Sequence, residues 1–254
     1  MRKSQHFRKP YKIKRKKSIL KNRFFWIGVL FLIIITLVCY FLFFHSFFQI
    51  ANIEISGNEK LKTEQIESLI EKNQNIFLFN IDKNKKKILE NFPEITELLL
   101  EKNFPRSIKI QVEERKPVAV FCQNEDYFFI DKKGIVYEKT ESDTMLKVRN
   151  LTLNKELKIG DRVLTENQLN QIIYTERNLK QDLEIQIESA EIVSEQRLNI
   201  NTFEGWQIYF NSQKSPDWQL TELGLILEKK IPLEKREQLE YIDLRFDKIY
   251  YKYR

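Results

Sequence analysis

The 254 residues, 42% of them hydrophobic, suffice for one large domain or two small ones with real cores, which excludes a chain disordered throughout. The formal charge of +7 would suggest a nucleic-acid binder, but eleven of the 43 Lys and Arg residues fall within residues 1–23, where there is no acid, leaving 32 basic against 36 acidic residues in the rest. The basic character therefore belongs to a tail, and no nucleic-acid partner is expected.

The tail leads into "FFWIGVLFLIIITLVCYFLFF", residues 24–44, a stretch without a charge. At 1.5 Å per residue it spans about 31 Å as a helix, close to the hydrocarbon thickness of a bilayer of roughly 30 Å. A cleaved leader would have a shorter apolar stretch and a small-residue cleavage site, so a transmembrane anchor in contact with lipid is expected. Eleven positive charges precede it, and only Lys60 and Lys62 occur in the twenty residues after it. By the positive-inside rule, residues 1–23 are a cytoplasmic tail and residues 45–254 lie outside the cytoplasmic membrane. Cys39 falls in the span and Cys122 stands alone beyond it, which predicts an outer part without disulfides.

Alternating Ala51, Ile53 and Ile55 predict a strand closed by "SGN". Thr63 stands where an N-cap belongs, before Ile66, Leu69 and Ile70 at helical spacing. Asp82 is placed to cap a second helix carrying Ile88, Leu89 and Phe92 and stopped by Pro93. Two strands follow, "EITELLLEKN" and "IKIQVEE", giving the order β-α-α-β-β for residues 45–116. Glu114 and Arg115 are candidates to pair across the boundary between this unit and the next, where an exposed pair would add only about 0–1 kcal/mol.

Residues 117–254 read as mainly β. "YFFI" and "IVYE" flank "DKKG", a hairpin in which Gly134 supplies the needed backbone freedom. Thr165 caps the strongest helical pattern, with Leu169, Ile172, Ile173 and Leu179 on one face. Strands are expected at "LEIQIES", "EIVS", "RLNINTF" and "WQIYF", then a helix with Leu220, Leu223 and Leu227 that ends before Pro232. The stretch "YIDLRFDKIYYKYR", residues 241–254, reads as a strand with an uncovered edge. Its apolar positions change parity, Ile242, Leu244 and Phe246 against Ile249, Tyr251 and Tyr253. A β-bulge near Asp247 and Lys248 would reconcile them. The expected class is α+β, one transmembrane helix followed by a small α/β unit and a β-rich domain with flanking helices.

The chemistry is bounded by histidine, since His6 and His45 are the only two. Residues 46–254 therefore hold no Ser-His-Asp or Cys-His arrangement and no His-containing zinc site. Phosphate-cradling loops and calcium-binding spacings are absent as well. No catalytic residue, cofactor or metal is expected. An enzyme rival remains, a membrane-tethered cell-wall hydrolase using paired carboxylates.

Several stretches in order, "IANIEISGNEKL", "NIFLFNI", "NFPRSIKIQVEERKPVAVF", "YFFIDKKGIVY" and "YIDLRF", resemble the bacterial cell-division family FtsQ, called DivIB in Gram-positive species. The resemblance implies a POTRA domain over residues 45–116, an FtsQ-type β domain over 117–254 and a non-catalytic divisome scaffold at the septum. It also implies partners of the FtsB/DivIC and FtsL type, docked by strand addition, and a role in recruiting or regulating septal peptidoglycan synthesis. The implied contact residues are Asp243, Arg245, Phe246, Ile249, Tyr250, Tyr251 and Tyr253. The rival that the same resemblance leaves is a POTRA-bearing assembly or secretion factor.

Overall fold

A computed structural model describes residues 23–142 and 144–254; the basic segment, apart from Arg23, lies outside the described residues. Helix α1, Arg23–Phe44, is long and apolar enough to cross a membrane, and none of its residues is buried by the rest of the protein. A 3-10 turn, Ser46–Phe48, follows it.

Three strands, β1 (Asn52–Ser56), β2 (Ile95–Asn103) and β3 (Ser107–Glu114), form a sheet in the order β1-β3-β2. Two short helices lie between β1 and β2 in the chain, α2 (Thr63–Glu67) and α3 (Ile81–Asn91), so the order is the expected β-α-α-β-β. The caps differ from expectation. Helix α2 begins one residue earlier than Thr63 would set it, with Lys62 at the N-cap and the Gln65 side chain accepting from the Lys62 N–H at 3.2 Å. Asp82 sits in the first turn of α3, where its charge complements the helix dipole.

Packing divides the chain into two compact units. The first comprises the stretch up to Glu54 with Glu71–Asn80 and Glu101–Lys109, and it buries Ile50, Ile76, Phe79 and Ile108. Asn75 holds α1 to the rest of this unit: its Nδ2 donates to the carbonyls of Leu42 and Phe43 at 2.8 and 3.0 Å, two of the acceptors that a helix C-terminus leaves free.

The second unit comprises Ile55–Ile70, Ile81–Leu100 and Ile110–Arg254. Most of it is a nine-stranded mixed sheet built from β4 (Ala119–Gln123), β5 (Asp126–Ile130), β6 (Val136–Lys139), β7 (Lys147–Asn150), β8 (Ile187–Ser194), β9 (Arg197–Thr202), β10 (Gln207–Phe210), β11 (Leu239–Asp243) and β12 (Tyr250–Tyr253). The order across it is β12-β11-β10-β9-β8-β7-β4-β5-β6. Helices α4 (Glu166–Asp182) and α5 (Pro216–Lys229) contribute Leu169, Ile172 and Leu179, and Leu220, Leu223 and Leu227, to one core with Phe121, Ile130, Val148, Ile200, Trp206, Ile208 and Ile242. A one-turn helix, α6 (Leu233–Arg236), follows Pro232.

Thr165 caps α4 as its position predicts, accepting from the Gln168 N–H while the Gln168 side chain accepts from the Thr165 N–H. In the "DKKG" hairpin, Asp131 Oδ1 accepts from the N–H groups of Lys133 and Ile135, and Gly134 adopts φ +70° with the Leu164 carbonyl packed where a Cβ would stand. Two readings of the sequence are revised. Only the last three residues of "LEIQIES" are in a strand, β8, which continues through "EIVS", and β7 is an additional strand running parallel to both β4 and β8.

Glu114 and Arg115 do not pair with each other. One carboxylate oxygen of Glu114 accepts from the backbone N–H groups of Glu59, Lys60 and Leu61 at 2.8–3.0 Å. Burial works against its charge, but these donors prevail and hold the carboxyl below its usual range. Arg115 instead pairs with the buried Asp131 carboxylate, and its Nε donates to the Pro93 carbonyl at 2.8 Å.

Candidate functional site

A sheet of nine strands has two edges, and this one treats them differently. At the β6 edge, residues 160–162, which come after β7, cap the start of the strand: Val136 N–H donates to Asp161 O, Gly160 N–H donates to Val136 O, and Ile135 bridges to Arg162. At the opposite edge, β12 pairs with β11 on one side, and among the described residues no strand pairs with it on the other. An unpaired row of N–H and C=O groups is a template for another chain.

The parity change in residues 241–254 is a chain reversal, where the sequence suggested a bulge within one strand. Residues 241–243 close β11, residues 244–249 turn, and β12 returns antiparallel with Ile242 opposite Tyr251 and Asp243 opposite Tyr250. Ile242 and Leu244 are fully buried, which explains their shared parity. A break in register does occur, between Leu239 and Tyr241 on β11. Arg254 N–H donates inward to Gln238 O at 2.8 Å. Alternation along an antiparallel strand then turns the backbone groups of Tyr251 and Tyr253 toward the open side.

The seven residues expected at a docking site separate into two sets. Arg245, Phe246, Tyr250 and Tyr251 reach the surface, with Phe246 52% and Tyr250 54% exposed and their rings edge to face at 6.0 Å. Asp243, Ile249 and Tyr253 turn inward: Asp243 is buried, and Ile249 and Tyr253 pack against the core. Asp243 still shapes the surface, since its carboxylate accepts Arg245 Nε at 2.8 Å and Nη2 at 2.6 Å. That bidentate grip fixes the guanidinium plane. Arg245 lies 5.4 Å over the Tyr209 ring and 5.3 Å over that of Phe246.

Neighbouring strands extend this face with residues that the sequence reading did not select. Tyr241 stacks on Tyr209 at 5.2 Å, and Arg197 of β9 lies 4.5 Å over Tyr209. Burial raises the Tyr209 hydroxyl above its usual pKa despite Arg197, so it stays neutral and donates to Gln207 Oε1 at 2.7 Å. The signal for this cluster was the alternation of "WQIYF" beside "YID", which places Tyr209 and Tyr241 on one face only once β10 and β11 are known to pair in parallel. On the rim, Lys252 pairs with Glu240 at 2.5 Å and Lys214 with Asp247 at 3.2 Å. The ensemble of flat aromatic rings, planar cations and an open backbone edge is suited to gripping an extended peptide. Among the described residues, no group of three or more His, Cys, Asp or Glu is placed to hold a metal ion.

Comparison with known proteins gives two matches along the chain. A POTRA domain of the FtsQ type matches residues 48–115, and the C-terminal domain of cell division protein FtsQ/DivIB matches residues 119–245. The second match stops at Arg245, so β12 lies beyond it. Cell division protein DivIB of Clostridium botulinum strain Hall is 31% identical over 199 residues, covering 69% of this chain and 75% of that protein. The DivIB of Clostridium acetobutylicum is 31% identical over 146 residues, covering 53% of this chain and 58% of that protein. That of Clostridium tetani is 25% identical over 142 residues, covering 54% and 53% respectively.

Proposed function

Because the chain belongs to the FtsQ/DivIB family of cell-division proteins, we propose that it is a non-catalytic scaffold of the divisome, anchored by α1 and docking its partners by strand addition to β12. The partners on this reading are membrane-anchored proteins of the FtsB/DivIC type and, with them, the FtsL type. Its task is to recruit or regulate septal peptidoglycan synthesis. The N-terminus is cytoplasmic, and the folded units lie outside the membrane at the septum. The observation that carries the reading is the asymmetry of the large sheet, capped at the start of β6 by residues 160–162 and open along β12. Backbone pairing along the open edge supplies affinity, while Phe246, Tyr250 and Arg245 supply side-chain selectivity.

The test is capture of FtsB/DivIC-like and FtsL-like ectodomains from the same organism by the full chain in detergent. It is compared with a chain stopped after Phe246, which keeps the buried Ile242 and Leu244. Loss of capture with near-UV circular dichroism retained is the expected result. Equal capture by both chains would move docking away from β12.

A further inference from the structure

The end of α1 does not lead into a linker. It is tied to the first unit by Asn75 on the carbonyls of Leu42 and Phe43, by Ile76 N–H on Phe48 O at 2.8 Å, and by reciprocal bonding of Ile50 with Asn73 and Gln74. A run of aromatic rings continues from the helix across this tie. Phe43 meets Phe77 at 6.2 Å, Phe41 meets Phe48 at 5.9 Å, Phe48 meets Phe77 at 5.3 Å, and Phe77 meets Phe104 at 5.3 Å. In a water-facing position these rings would be costly, yet Leu78 is 61% and Phe104 54% exposed, with Phe47 and Phe77 also exposed. The patch is contiguous with the last turn of the anchor, unlike singly scattered surface hydrophobes.

We propose that the segment around Phe77 and Leu78, together with Phe104, is a second membrane contact that seats the first unit in the outer interfacial layer of the same bilayer that α1 spans. The proposal rests on α1 being a membrane span. The 22 residues of α1 rise about 33 Å, so its last turn lies at the far hydrocarbon boundary. A ring in contact with Phe43 is at that depth too. Aromatic and leucyl side chains partition into this layer, as they do on the apolar face of interfacial helices. Lys102 fits the same orientation, since its Nζ donates to the Phe77 carbonyl at 3.4 Å and holds an ammonium beside the apolar patch, at the level of anionic headgroups. The occupant is thus the lipid surface itself, by continuity with the anchor.

The experiment places a nitroxide label by Ile34→Cys, Leu78→Cys, Phe104→Cys, Leu151→Cys or Phe203→Cys, one at a time, in the full chain carrying Cys39→Ala and Cys122→Ala. Each protein is reconstituted in vesicles of phosphatidylethanolamine and phosphatidylglycerol, and collision with oxygen is compared with collision with a water-soluble nickel chelate. Labels at 34, 78 and 104 are expected to favour oxygen several-fold over those at 151 and 203. A label at 34 in lipid with those at 78 and 104 as aqueous as the references would overturn the proposal while keeping the anchor, and would leave the patch to a protein partner. An aqueous label at 34 would overturn the anchor and the proposal together.

Discussion

Phe246 and Glu114 show how differently two single side chains matter. Phe246 is half exposed, and its ring contacts are with Arg245 and Tyr250, outside the core. Phe246→Ala is expected to weaken partner binding at least tenfold, the loss of about 1.4 kcal/mol or more typical of an aromatic hot spot, with an unchanged melting temperature. Titration calorimetry and thermal melts check the two halves of that statement. Glu114 is the opposite case, a nearly buried carboxylate whose oxygens accept three backbone donors. Glu114→Gln should lower stability by about 1.5–3 kcal/mol, the worth of hydrogen bonds to a charged group. Because the folded pKa lies below the unfolded one, this contribution is complete above the unfolded value and is lost as pH falls through the folded value. Denaturant melts of the two proteins should therefore converge on acidification. The identity of the Glu114 partners was not legible in the sequence. Adjacent opposite charges at Glu114 and Arg115 suggest a mutual pair, but neighbours on a strand point to opposite faces, and each side chain found its partner elsewhere.

At the scale of elements, the proposed docking by strand addition would take its geometry from the β11–β12 hairpin. The backbone N–H of Tyr251 faces the open side, so Tyr251→Pro should reduce partner capture more than Tyr251→Ala does. A proline there removes a donor needed for strand addition without taking one from the β11 pairing. Capture efficiency for the two variants, alongside unchanged circular dichroism, checks the expectation. Long periodic elements were readable from sequence: α1, α4 with its Thr165 cap, and the "DKKG" hairpin all stand where their patterns placed them. Others were not. β7 has four residues with only Val148 buried and owes its existence to the parallel strands on either side, which is a tertiary effect with no local period. The parity change in residues 241–254 was visible, but parity alone does not distinguish a bulge from a reversal. The burial of Leu244 and the antiparallel pairing of Ile242 with Tyr251 make the difference.

At the scale of the molecule, the proposed anchored topology is directly testable. Protease added to spheroplasts should digest a tag placed after Arg254 and spare one placed before Met1, and detergent should expose both. The reverse pattern would invert the orientation that the charge asymmetry predicts. The sequence pattern made the long apolar helix and the β-α-α-β-β order legible, whereas the open edge of the large sheet required the strand order.

The parallel pairing of β10 with β11 has a consequence for how the protein is made. Two adjacent parallel strands need a crossover between them, here residues 211–238 with α5 and α6, and closing such a loop is slow compared with zipping a hairpin. β11 has its place only once α5 has packed Leu220, Leu223 and Leu227 into the core, and β12 has its place only once β11 is set. By this argument the open edge is among the last parts of the molecule to mature. If partners dock on β12 as proposed, they would read a completed fold at the same time, and a misfolded or half-folded copy would be silent in assembly.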